Sequence, residues 1–206
     1  DYKACAADCD TAIGIDQTLS KAYFRKATAM KGMGRIPDAL KTIQLGLVHD
    51  PINKEGMRQR DALKGMTDKM TEAQDQNAMG FSRRALVIVE QLITEVGTNV
   101  KDVNVLKMQI LLKLQRPEDA LNMSNAMMRA GYSGDVSLLM TRADCLYSMG
   151  DIDNAVKHLQ QAMRSDPDNA TARKELKRVK EVADVKKRGA ECYKAQDLDG
   201  AIEHWT

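Results

Sequence analysis

The stretch VSLLMTRADCLYSMGDIDNAVKHLQQAMRSDP, residues 136–167, decides the fold. Leu139, Ala143 and Leu146 recur at spacings of four and three, Gly150 interrupts, and Ala155, Leu159 and Ala162 recur at four and three before Pro167. Such spacings gather side chains on one face of a helix, so the stretch predicts two short amphipathic helices joined by a tight turn. Gly150 supplies the left-handed backbone that ends the first helix, and Pro167 closes the unit because proline cannot continue a helix. Small side chains at Ala143 and Ala155 let the two helices approach closely.

Residues 20–51, SKAYFRKATAMKGMGRIPDALKTIQLGLVHDP, fill the same slots with Tyr23, Ala27, Met30, Gly34, Ala39, Ile43, Gly46 and Pro51. Weaker copies follow from one marker, the small residue that opens each second helix: Cys5, Ala39, Ala85, Ala120, Ala155 and Ala201, at steps of 34, 46, 35, 35 and 46 residues. The two long steps each exceed a 34-residue repeat by 12 residues, which is about 18 Å of helix at about 1.5 Å per residue. Neither insert carries a proline or a turn cluster. Leu176, Val179, Ala183 and Lys186 keep helical spacing, so the second insert predicts one lengthened helix. The first, around Arg58 to Asp75, reads the same way, with Gly56, Gly65 and Gly80 as places where a kink or break could fall.

Together these residues resemble the tetratricopeptide repeat. The match is close in the half carrying Ala155, Leu159, Ala162 and Pro167 and loose in the half carrying Leu139, Ala143 and Leu146. The resemblance implies an all-α fold, an α-solenoid of antiparallel helix pairs in consecutive arrays joined by extended helices. On this reading residues 1–65 are the end of a first array, 66–168 a middle array of three repeats, and 169–206 an extended helix and the start of a third array. Asp1 and Thr206 both fall inside second helices, so the chain reads as a piece of a longer solenoid.

Composition narrows the function classes. Lys plus Arg number 31 and Asp plus Glu 29, a net +2, so no strong field points to nucleic acid or an anionic membrane, and neither is expected as a partner. The longest apolar run, Ala85 to Val89, is far short of the roughly 20 residues a membrane-spanning helix needs. Cys5 and Cys9 sit one turn apart at inward slots, and Cys145 and Cys192 lie in separate helices. With no C-x-x-C and no paired histidines, neither a metal nor another cofactor is expected. His49, His158 and His204 read as solvated or packing residues. Lys31-Gly32-Met33-Gly34 follows a helix and not a strand, so it is no phosphate cradle, and His49-Asp50-Pro51 has the residues of a J-domain His-Pro-Asp in the wrong order. No enzyme is expected. The methionines of the middle array, among them Met108, Met127, Met140 and Met163, suit gap-filling between short helices and, alternatively, a surface for varied apolar partners.

The polar feature with most content is Lys21 and Arg25, four apart on a first helix and so on one face. Lys21-Ala22-Tyr23-Phe24-Arg25-Lys26-Ala27 resembles the third repeat of tetratricopeptide domains that hold cytosolic chaperones of the heat-shock seventy and ninety families. There a Lys and an Arg at these slots form part of a "carboxylate clamp" on the chaperone's C-terminal Glu-Glu-Val-Asp. A terminal carboxylate next to an Asp side chain presents clustered acceptors, which a Lys point charge and an Arg fork match. The resemblance makes Lys21 and Arg25 partner-binding residues and Phe24 an apolar contact; an ordinary charged helix face is the alternative. Lys186 falls at the first-Lys slot of a second, weaker clamp, where Ala190 replaces the expected Asn. The middle array offers Leu106, Ser137 and Thr141 at the equivalent slots and lacks a clamp.

The arrangement resembles a cytosolic tetratricopeptide-containing J-domain co-chaperone without its J domain. The resemblance implies a cytoplasmic adaptor that binds the tails of heat-shock seventy and ninety chaperones and helps client polypeptides pass between them. Two alternatives stay open: a clamp-free, client-binding relative of the endoplasmic reticulum lumen, and a scaffold for an assembly unrelated to chaperones.

Overall fold

A computed structural model describes residues 1–97 and 100–205 of the chain; Thr206 lies outside the described residues. They form helices and connecting turns, with no strand among the described residues. The chain divides into two compact units, 1–110 and 111–206.

Unit 1 begins with α1 (Tyr2–Ile15), α2 (Ser20–Gly32) and α3 (Ile36–His49), each packed on the next. Ala27 and Ala39, the expected close-approach pair, are fully buried, together with Ile36 and Ile43. Gly34 has φ of +79° in the α2–α3 turn, the conformation that L-residues with a Cβ disfavour. Helix α4 (Lys54–Ala78) then runs 25 residues, against 13 or 14 for α2 and α3. It packs on α3 and on α5 (Ser82–Val96). Its buried side chains Leu63, Met66, Met70 and Ala73 advance by three and four, as an apolar stripe must. Gly56 and Gly65 lie within this helix and do not break it. Gly80, at φ +90°, is the turn between α4 and α5. The chain continues into α6 (Lys101–Lys113), whose Val103, Leu106 and Ile110 are buried.

Unit 2 holds the best repeat copy. Helix α7 (Pro117–Met127) opens with proline in its first turn, where the missing N–H costs nothing. It passes directly into a five-residue wide turn, Met128–Tyr132 (the π turn), kinked at Gly131, whose φ is +98°. Then come α8 (Val136–Ser148) and α9 (Ile152–Ser165), joined at Gly150 with φ +80°. Ala143, Leu146, Ile152, Ala155 and Leu159 form one core with Val179 of the next helix, and Leu176 and Ala183 pack against it. Burying a leucine such as Leu159 contributes about 1.5–3 kcal/mol.

That next helix, α10 (Ala170–Lys194), is again 25 residues. It packs on α9 and on α11 (Leu198–Trp205). The long helices α4 and α10 thus occur where the two 46-residue steps predict them. They also begin alike. Asp50-Pro51-Ile52-Asn53 and Asp166-Pro167-Asp168-Asn169 each place an Asn at the N-cap, where its Oδ1 accepts from Gly56 N at 2.8 Å or Ala172 N at 2.9 Å. Its Nδ2 donates to Asp50 at 2.9 Å or Asp166 at 3.1 Å. Proline ends one helix and the asparagine two residues on starts the next.

Candidate partner-binding site

Lys21 and Arg25 sit on exposed faces of α2, one turn apart. Neither makes an ion pair or hydrogen bond with the described residues, whereas Lys26 of the same helix is committed to Asp10 at 2.5 Å. Two like charges held side by side with no counter-ion are a standing attraction for an anion. Phe24 is 9% exposed. Its ring packs on two glycines: a Cβ at Gly46 would stand 2.7 Å from Phe24 Cε1, and one at Gly56 2.8 Å from Phe24 Cζ. Gly56 is therefore a packing device that admits the Phe24 ring to the α2–α3–α4 junction.

Phe24 and Arg25 line a cleft of about 240 Å³ with Tyr2 and Cys5 of α1, Thr28 and Ala29 of α2 and Gln59 of α4. Most of the lining is apolar, with Arg25 as its cation. Lys21 is outside the lining, one turn back along α2. The arrangement can seat a small apolar side chain beside the Arg25 fork while Lys21 meets a second anionic group. Cys5, read from sequence as inward, is exposed on α1, which packs chiefly on α2; Cys9 is buried. Burial, and then Cys5 beside it, pushes the Cys9 thiol up.

The corresponding slots in unit 2 are different in kind. Thr141 is buried and its hydroxyl donates to the Ser137 carbonyl at 2.9 Å. A cleft of about 630 Å³ there is lined by Asp135, Val136, Ser137, Met140, Asn169 and Thr171 among others, with a carboxylate and no Lys or Arg. Lys186, on α10, turns its ammonium to the Gly150 carbonyl at 3.3 Å. Asp144 on α8 is the unit's most perturbed carboxyl, pushed up to about 6 by burial and by neighbouring Glu175. Arg178 offsets this only in part. It pairs with Glu175 at 2.8 Å and lies over the Tyr147 ring, 4.6 Å from the centroid. The sequence had no signal for Asp144, since its burial depends on α10 side chains such as Val179 and Arg178 reaching α8. Among the described residues, no three His, Cys, Asp or Glu side chains gather as a metal site, and no helix is long and apolar enough to cross a membrane.

A family model described as tetratricopeptide repeat matches residues 136–169. Over 195 residues the chain is 24% identical to the DnaJ homolog subfamily C member 7 homolog of Dictyostelium discoideum, covering 95% of this chain and 36% of that protein. It is 21% identical over 208 residues to a DnaJ protein P58IPK homolog of Arabidopsis thaliana, covering 98% and 43%. The chain thus spans less than half the length of these relatives. Among solved structures, the tetratricopeptide domain of P58(IPK) superimposes with a TM-score of 0.62 at 15% identity, over 85% of this chain and 50% of that one. At that identity the likeness speaks for the fold, and it is the fold the repeat spacing predicts.

Proposed function

We propose that this tetratricopeptide-repeat chain is the docking segment of a co-chaperone, and that unit 1 grips the C-terminal Glu-Glu-Val-Asp of heat-shock seventy and ninety chaperones. The observation that carries the reading is the pairing of Lys21 and Arg25 on α2. Both are exposed and without a counter-ion, and Arg25 rims an apolar cleft floored by Phe24. In this reading the Val side chain of the tail enters the cleft, and its terminal carboxylates meet Arg25 and Lys21. The similarity to DnaJ homologues supports a chaperone setting, and a cytoplasmic location is part of the same proposal. Docking two chaperones on one chain would let clients pass between them. The array boundaries at 65/66 and 168/169, each at or near one of the two long helices, belong to the same proposal.

The test is a fluorescence titration of a labelled chaperone-tail peptide with the chain and its variants. Lys21→Ala or Arg25→Ala is expected to weaken binding by at least about 1 kcal/mol, roughly fivefold, with helicity unchanged. Unchanged affinity in both variants would overturn the clamp.

A second reading has its own observation. The unit 2 cleft has Ser137 at a slot where a clamp would place a cation, and its lining, which includes Met140, Thr171 and Asp135, holds no Lys or Arg, so it does not suit an anionic tail. If unit 1 fails to bind the tail, a clamp-free client binder or a non-chaperone scaffold becomes the better account.

A further inference from the structure

The two best repeat copies differ at one electrostatic position. In residues 20–51 the residue before the first small slot that the two copies share is Lys26, and it pairs with Asp10 of the preceding helix at 2.5 Å. In residues 136–167 the same slot holds Arg142. The residue facing it, five beyond Ala120 as Asp10 is five beyond Cys5, is Asn125. The cation persists between the copies and its carboxylate does not.

Arg142 is left among neutral acceptors. Its Nη1 donates to Ser124 Oγ at 2.5 Å and to Asn125 Oδ1 at 2.6 Å, and its Nε donates to His158 Nε2 at 3.0 Å. Ser124 spends its own proton on the Leu121 carbonyl at 2.7 Å. No carboxylate among the described residues pairs with Arg142. Burial lowers its pKa, and no carboxylate acts in the other direction. A half-buried guanidinium without a counter-ion is unfavourable unless a negative group completes it.

Asn125 connects this charge to the surface. With Oδ1 turned to Arg142, its remaining polar group is the amide NH2, which can only donate. Asn125 also lines a pocket of about 510 Å³ with Asn122, Met128 and Arg129, at the junction of α7 and the π turn. That lining brings together side-chain amides and a second arginine, with no carboxylate. Arg129 has no ion pair among the described residues.

We propose that this pocket binds an oxyanion, a carboxylate or phosphate group presented by a ligand, through Arg129 and the Asn125 amide. Arg142 acts as a positioning residue: it fixes which end of the Asn125 amide faces the pocket and adds its charge behind it. The site is independent of the clamp on α2, and its success or failure leaves that reading untouched.

The test is an amide-detected NMR titration of the whole chain with sodium phosphate and, separately, sodium acetate, with sodium chloride at matched ionic strength as control. Saturable shifts are expected at the Asn122 and Asn125 side-chain amides and along Met128 to Gly131 with phosphate or acetate, and not with chloride. The tighter of the two probes assigns the ligand class. Asn125→Asp restores the arrangement of the Lys26 copy. It is expected to raise the melting temperature while weakening anion binding about tenfold or more. Arg129→Gln is expected to weaken binding comparably with the melting temperature unchanged. Equal shifts with chloride, or undiminished phosphate and acetate binding in a folded Asn125→Asp chain, would overturn the proposal.

Discussion

Replacing Asp144 by asparagine should stabilise unit 2 at neutral pH, and the size of the effect follows from its surroundings. The carboxyl lies against α10, has no hydrogen-bond partner among the described residues, and faces Glu175, while Arg178 is committed to Glu175 and to the Tyr147 ring. Its pKa is accordingly pushed up from 3.8 to about 6. A carboxyl raised in the folded state binds its proton more tightly there than in the unfolded chain. The fold is therefore most stable, as far as this group is concerned, below pH 3.8, and it loses stability as pH rises through about 6. The gap corresponds to roughly 3 kcal/mol at pH 7.5, and residual contact with water reduces it, so a gain of about 1–3 kcal/mol is expected for Asp144→Asn. At pH 4 the same linkage leaves a difference of about 0.5 kcal/mol. Urea unfolding followed by circular dichroism at the two pH values measures both numbers. A gain of equal size at pH 4 and pH 7.5, or none at either, would refute the reasoning, because only an ionised carboxylate carries the penalty.

Other consequences can be checked with the same assay. His158 has its pKa lowered by burial first and by Arg142 second, so protonation opposes folding, and in the Asp144→Asn background, where the opposing carboxyl is gone, stability should fall as pH drops below about 6.5. His158→Gln keeps an acceptor for Arg142 and should flatten that decline between pH 7.5 and 5.5. Gly150→Ala should cost about 1 kcal/mol from its positive φ alone, since its Cβ meets nothing within 4 Å. Gly34→Ala should cost more, because its Cβ would stand 3.0 Å from the Val100 Cα. Asn169→Ala removes the cap on Ala172 N and should cost about 1 kcal/mol, with faster amide exchange in the first turn of α10.

Much of this fold is legible in one marker per repeat. The 46-residue steps locate both long helices, and Gly34 and Gly150 adopt the left-handed turn their position demands. The same turn recurs at Gly80, Gln115 and Gln196, all with positive φ. The last two escaped a search keyed to glycine. A glutamine tolerates φ near +60° when the helix pair on either side fixes the turn, at a cost of about 1 kcal/mol. Gly56 and Gly65 look like hinges in sequence and prove to lie inside a straight-through helix, because the room Gly56 leaves is for the Phe24 ring, a contact between residues 32 positions apart. Periodicity identifies which side chains face inward. It says nothing about which charges end up paired, and for that reason the contrast between Lys26 with Asp10 and Arg142 with Asn125, and the burial of Asp144, needed the packed helices.

The most direct test of the adaptor account is a calorimetric titration of this 206-residue chain with a peptide ending in Glu-Glu-Val-Asp, beside the same peptide amidated at its C-terminus. The account predicts saturable binding that is lost on amidation and weakened in Arg25→Ala. Binding that survives amidation, or no binding at all, would contradict it.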